Sequence, residues 1–121
     1  MKFLGTGSAL PKKVVSNDDL AQVMDTSDEW IRSRTGIGMR HIAVEETTTS
    51  MAVEAAEKAL ADAKISGCEI DLIIAGTISP DYIFPSLACE VQAAIGAKSA
   101  TAFDLSAGCS GFLFALATAD A

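Results

Sequence analysis

Two short apolar runs, DLIIAGT at 71–77 and SATAFDLS at 99–106, lie on either side of a segment with helical spacing, SLACEVQAAI at 86–95. An apolar run of this length without alternation marks a strand covered on both faces, and two such strands joined through a helix return side by side in a parallel sheet. The chain therefore reads as an α/β unit, a mainly parallel sheet flanked by helices that serve as crossovers.

Caps and breakers place the other elements. KFLGTGSAL, at 2–10, predicts a first strand running into a turn at Pro11, followed by Lys12 and Lys13. The Gly5-x-Gly7 pair belongs to a strand-end turn, because the third glycine of a dinucleotide fingerprint would stand at position 10, which is Leu10. Asn17 is placed to cap a short helix over 18–24. Thr26 and Glu29 have capping-box spacing, which predicts a helix starting near Ser27 and ending before Gly36. MRHIAV, at 39–44, reads as a short strand. Thr47 to Ser50 cap an alanine-rich helix over 50–64, with Glu54 and Lys58 at i,i+4 and Gly67 closing it. Pro85 fits the first turn of the helix at 86–95, and Gly96 ends that helix. From Cys109 onward GFLFALATADA is helical and apolar all round, which predicts burial. No stop signal follows up to Ala121, so residues 1–121 read as the N-terminal part of a longer protein, or as one piece of a nicked one.

Half the residues are hydrophobic, yet charges interrupt every window before about 18 apolar residues accumulate, and no membrane span is predicted. The start, MKFLGTGSALPKK, has neither a secretory nor a transit pattern, which leaves a cytoplasmic location as the default. Cys68, Cys89 and Cys109 form no Cys-x-x-Cys pair, and with a single histidine they make no zinc set; reduced thiols and no metal are expected. A net charge of −7 argues against nucleic acid as a partner. Against that acidic background Arg32, Arg34, Arg40 and His41 fall within ten consecutive residues. They form a candidate anion site, or else arginines that only solvate a helix face.

Cys109 lies where a predicted buried strand hands over to a predicted helix, the place where open α/β sheets gather ligands. Unpaired amides at a helix start favour a thiolate, which predicts a lowered thiol pKa, and the Cys109 amide could donate to an oxyanion. The small neighbours Ala107, Gly108, Ser110 and Gly111 would let a carbonyl approach. The competing reading is a cysteine that fills space. Cys68, in a turn, and Cys89, on a helix face, have no strand delivering them to a cleft and read as structural.

The stretches DTSDEWIRSRTGI, RHIA, GTISPDYIFPSLACEVQAAIGA and AFDLSAGCSGFLFAL, in that order and over nearly the whole chain, resemble the N-terminal part of the β-ketoacyl-acyl-carrier-protein synthases III. These are the condensing enzymes that start bacterial type II fatty acid synthesis. The resemblance implies the thiolase-like fold, of which this chain is the N-terminal αβ half or most of it. It implies that Cys109 takes an acyl group from acyl-CoA and that malonyl-acyl-carrier protein then decarboxylates to an enolate that attacks the acyl-cysteine. By the same resemblance Thr26, Trp30 and Arg34 meet CoA, with the tryptophan stacking on adenine, and Phe84 lines the acyl pocket across a homodimer interface. Acyl-CoA and the carrier protein are substrates, and no cofactor is implied. The family's catalytic histidine and asparagine lie in its second half; His41 belongs to the RHIA segment and reads as structural. Gly108 stands where many relatives carry alanine, a change of loop freedom more than of chemistry. A condensing enzyme of secondary metabolism, and a non-catalytic fragment able to dimerise or bind CoA, stay open beside this reading.

Overall fold

In the computed structural model, which describes residues 2–121, residues 10–46 form one unit around an antiparallel pair. β1 (Lys13–Ser16) runs against β2 (Met39–Ile42), with Lys13 opposite Ile42 and Ser16 opposite Met39. Between them come α1 (Asn17–Ala21) and α2 (Asp28–Thr35). The sequence reading missed β1, whose four residues carry too little pattern to register. Both caps lie one residue from where they were expected. Ser16, not Asn17, caps α1: its hydroxyl accepts the Asp19 amide at 3.1 Å and the Asp19 carboxylate accepts the Ser16 amide at 2.8 Å. Ser27, not Thr26, caps α2 by accepting from the Trp30 amide, and Gly36 ends it in the left-handed region with φ 73°.

The second unit takes in residues up to Ala9 and Thr47–Ala121. Its first helix, α3 (Thr48–Ala63), begins with a capping box in which Thr47 and Ser50 exchange side-chain and amide bonds. Asp81, from a distant loop, adds a second cap by accepting the Thr48 and Thr49 amides at 3.0 and 2.7 Å. Lys64, in the left-handed region, ends the helix. Gly67, expected to do so, instead sits buried in a 3-10 turn, where a Cβ would stand 1.8 Å from the Ile95 carbonyl oxygen.

β3 (Leu72–Gly76) and β4 (Thr101–Leu105) pair in parallel, Ile73 opposite Ala102 and Gly76 opposite Leu105, and α4 (Leu87–Ala94) is the crossover between them. Alternation sorts the faces. Ile73, Ala75, Ala102 and Asp104 share the α4 face, as the Asp104 bonds to α4 show. Leu72, Ile74 and Gly76 face α5 (Gly111–Asp120). The best-buried apolar side chains, Leu87, Ala88 and Val91 of α4 with Ala97 and Ala100, make the core beneath that crossover.

Four further expectations are corrected. Residues 2–10 form no strand; the segment lies along α3, so close that a Cβ at Gly5 or Gly7 would overlap α3 backbone at 2.5 and 2.0 Å. Its polar groups bond to α3 side chains, the Thr6 amide to Asp62 at 2.9 Å and the Ser8 carbonyl to Lys58 at 3.0 Å, in place of a ladder. β3 is only half-buried, because its edge away from β4 opens on an apolar groove of about 460 Å³ lined by Phe3, Leu4, Leu60, Ile65 and Ile70. Pro85 precedes the α4 cap, Ser86, and follows a cis peptide bond from Phe84. α5 buries only Gly111; Phe112, Leu113 and Phe114 are exposed, since no described element lies over them.

The Asp104 carboxylate holds the start of α4 by accepting the Leu87 amide at 2.9 Å and the Ala88 amide at 2.8 Å. Asp104→Asn keeps the shape but turns one oxygen into a donor facing an amide. It should destabilise the protein by about 2 kcal/mol, the scale of losing a charged hydrogen-bond acceptor. The check is a lowered denaturant midpoint at unchanged slope.

Capping bonds, chiefly from the Thr49 amide, hold Asp81 down to about 2 from its ordinary 3.8. A depressed carboxyl stabilises the fold above its unfolded pKa and loses that contribution as pH falls through the folded one. Hydrogen-exchange protection of the Thr48 and Thr49 amides should hold above about pH 4 and fall towards pH 2. In Asp81→Asn it should be low and flat across that window.

Candidate active site

Cys109 is delivered by the end of β4. After Leu105 the chain passes through Ser106 and Ala107 into a 3-10 turn, Gly108–Ser110, and then into α5. The turn is closed by the Ser110 amide donating to the Ala107 carbonyl at 3.1 Å and by the Gly111 amide donating to the Gly108 carbonyl. The Cys109 amide comes before the first of these bonds and has no acceptor within the turn. Gly108 has φ 52°, a conformation in which any side chain would be strained, so glycine suits the backbone here. The expectation that the helix begins at Cys109 is corrected: the cysteine sits in the turn just ahead of it.

The turn is pinned from β3. A Cβ on Gly76, the last residue of β3, would come within 3.2 Å of the Gly111 backbone, and Gly111 is buried against it. Two glycines thus bring the amino end of α5 to the carboxyl end of the parallel pair, where a ligand cleft forms in such sheets. Ser110 makes no side-chain cap at the start of α5.

The three cysteines differ in surroundings. Cys109 is exposed. Cys68 is exposed too, but its sulfur lies 2.9 Å from the Ser66 hydroxyl. Cys89 is part-buried and donates to the Ala102 carbonyl at 3.8 Å.

A separate constellation occupies α2. The Arg34 guanidinium lies 4.5 Å from the centre of the Trp30 ring, a cation–π pair at i,i+4 on an exposed helix face. Asp25, Thr26, Ser27 and Trp30 line a polar hollow of about 320 Å³ beside it. The arginine window does not act as one cluster. Arg32 pairs with Asp28 at 2.8 Å, and Arg40 donates to the Val15 carbonyl at 3.1 Å and to Asn17. His41 Nδ1 lies 2.6 Å from the Pro11 carbonyl oxygen. Of the four, Arg34 is the one whose charge rests on an aromatic ring.

This chain is 62% identical over 111 residues to a β-ketoacyl-acyl-carrier-protein synthase III of Streptococcus suis, covering 92% of the chain and 34% of that protein. Its structure matches that of the 3-oxoacyl-acyl-carrier-protein synthase III from Aquifex aeolicus with a TM-score of 0.95 at 56% identity, over 98% of this chain and 39% of the other. The chain belongs to the β-ketoacyl-acyl-carrier-protein synthase III family. It spans between a third and two-fifths of the length of the curated relatives it matches. The priming β-ketosynthase of the R1128 polyketide pathway is also similar, with a TM-score of 0.93 at 40% identity over 98% of this chain and 36% of that one. No protein-family model matches the chain.

Within this synthase III chain, residues 10–46 bring Thr26, Trp30 and Arg34 together on and beside α2. Phe84 and Cys109 both belong to the other unit, Phe84 on an exposed loop tied to α3 through Asp81. Sequence reasoning passed over two side chains that matter: Asp104, visible as a carboxylate inside an apolar strand run, and Asn17, taken for a cap and found buried.

At neutral pH Cys109 should be alkylated by iodoacetamide roughly tenfold faster than Cys68 or Cys89, an exposed thiol directly ahead of a helix start being the more reactive kind. Peptide mapping against time measures it. Equal rates at Cys68, which is also exposed, would remove the special role of the turn.

Proposed function

We propose that this chain supplies the nucleophile and the CoA site of a condensing enzyme that joins a short acyl primer to malonyl-acyl-carrier protein. The observation that carries the reading is an exposed thiol at the carboxyl end of a parallel pair, directly ahead of a helix start with no side-chain cap. The Cys109 thiolate attacks the thioester carbon of acyl-CoA; a C–S bond to Cys109 forms, the bond to CoA breaks, and CoA leaves as a thiolate that takes a proton. Malonyl-carrier protein then loses carbon dioxide. The resulting enolate carbon attacks the acyl-cysteine, forms the new C–C bond and expels Cys109, leaving a β-ketoacyl-carrier protein. Splitting the transfer through a covalent acyl-enzyme makes one difficult step two easier ones, and the Cys109 amide is placed to help hold the oxyanion of each.

The histidine and asparagine that complete the family's site come from outside residues 1–121. The one histidine here, His41, lies against a backbone carbonyl, and the one asparagine, Asn17, is buried among fixed partners. Trp30 offers the indole face not covered by Arg34 to adenine, and Arg34 sits where it can meet the nucleotide's negative charge. Phe84 and Ile83, 88% and 99% exposed at the tip of a loop, suit a homodimer contact in which Phe84 lines the partner's acyl pocket. The reaction is assigned to the cytoplasm, where its thioester substrates are. The identities of 62% to the Streptococcus suis synthase III and 56% to that of Aquifex aeolicus, against 40% to the polyketide priming enzyme, favour the primary-metabolism reading.

Trp30→Ala in the full-length protein should raise KM for acyl-CoA roughly tenfold, the scale of one base–aromatic stack, and leave decarboxylation of malonyl-carrier protein intact. Steady-state kinetics with each substrate varied in turn separates the two; an unchanged KM removes Trp30 from the site.

A further inference from the structure

One polar cluster has no part in this chemistry. Asn17 is 1% exposed, the one buried polar side chain among the described residues. Its side-chain nitrogen donates to Asp28 Oδ1 and to the Ile37 carbonyl, both at 2.8 Å, and its oxygen accepts from the Arg40 guanidinium. Both amide protons are thereby used. Asp28 also accepts from Arg32 Nε at 2.8 Å, and Arg40 donates as well to the Val15 carbonyl at 3.1 Å.

The placement of these partners is the informative part. Asp28 is the first residue of α2, and Ile37 follows the Gly36 that ends it. Arg40 is on β2 and Val15 on β1. One side chain therefore holds both ends of α2 to the strand pair. The helix needs such a hold, because its eight residues bury no side chain and a helix that short has little stability of its own. With no residue of α2 fully buried, the polar cluster is the tie that reaches both of its ends.

We propose that Asn17 is a positioning residue for the nucleotide site: by fixing both ends of α2 it presents Trp30 and Arg34 as a preformed platform for the adenine nucleotide of CoA. The inference rests on the reading of Trp30 and Arg34 as CoA contacts. Asn17 touches no ligand. Its removal leaves Asp28 and Arg40 short of a buried partner and lets α2 rotate, and small misplacements of a binding group weaken binding steeply.

Trp30 is the only tryptophan of residues 1–121, and the difference between the wild type and Trp30→Phe isolates its emission. The full-length protein is titrated with CoA while Trp30 fluorescence is followed, with Trp30→Phe as the blank. In parallel, acyl transfer is measured from acyl-CoA and from the acyl N-acetylcysteamine thioester, which lacks the nucleotide. Quenching in the wild type, with Kd for CoA and KM for acyl-CoA both raised about tenfold in Asn17→Ala and the rate from the short thioester unchanged, is the expected result. A purely structural loss would lower both rates together, and that outcome overturns the proposal, as does an unchanged Kd. Absence of quenching in the wild type overturns the nucleotide reading itself. If Asn17→Ala does not fold, Arg40→Met, which removes the donor to Asn17 and keeps the alkyl bulk, is judged by the same criteria. Failure of both variants to fold assigns the cluster to stability and overturns the positioning role.

Discussion

A single carboxylate on β4 governs how the larger unit is put together. Asp104 takes two of the amides that the start of α4 leaves unpaired, so the crossover helix is fixed to the second strand of the pair it connects. The same residue lies opposite Ala75 in the ladder, one step before Gly76 meets the start of α5. The bond to α4 and the glycine contact with α5 are thus set by one register. A slip of β4 by one residue against β3 would turn Asp104 to the α5 face and away from α4. Cys109 inherits its place from this arrangement, five residues along the chain from the carboxylate.

The features legible in the sequence are those whose cause is local. β3 and β4 announce themselves as short apolar runs, and α3 by its alanine-rich spacing and its Thr47 cap. Gly36 and Gly96 end their helices as expected, with a left-handed backbone at φ 73° in both. What sequence reasoning misplaced depends on partners remote in the chain. Residues 2–10 have the composition of a strand, but Gly5 and Gly7 allow them to press on α3, and the polar groups of that segment bond there. Gly67 looked like a helix stop and serves a close approach to Ile95, 28 positions on. The apolar character of α5 predicted burial; exposure of Phe112, Leu113 and Phe114 shows that composition states a need for cover without saying what provides it.

The candidate site divides in the same way. Cys109 could be singled out because a strand-to-helix junction is readable from the residues around it. The arginine window was visible, but its division was not: Arg32 and Arg40 are taken up by Asp28, Asn17 and a backbone carbonyl, which leaves Arg34 on the indole. Asn17 gave no signal, since an asparagine before two aspartates looks like a cap until Ser16 is found in that role. Asp81 was equally silent, its bonds reaching back more than thirty residues to the start of α3.

The account turns on a covalent acyl group carried by the thiol at the end of β4. The most direct measurement is the mass of the full-length protein quenched in acid after mixing with acyl-CoA in the absence of malonyl-carrier protein, followed by peptide mapping. The account predicts one acyl group per chain on the peptide containing Cys109, with an equal amount of CoA released. An adduct on Cys68 or Cys89, or release of CoA with no adduct at all, would contradict it.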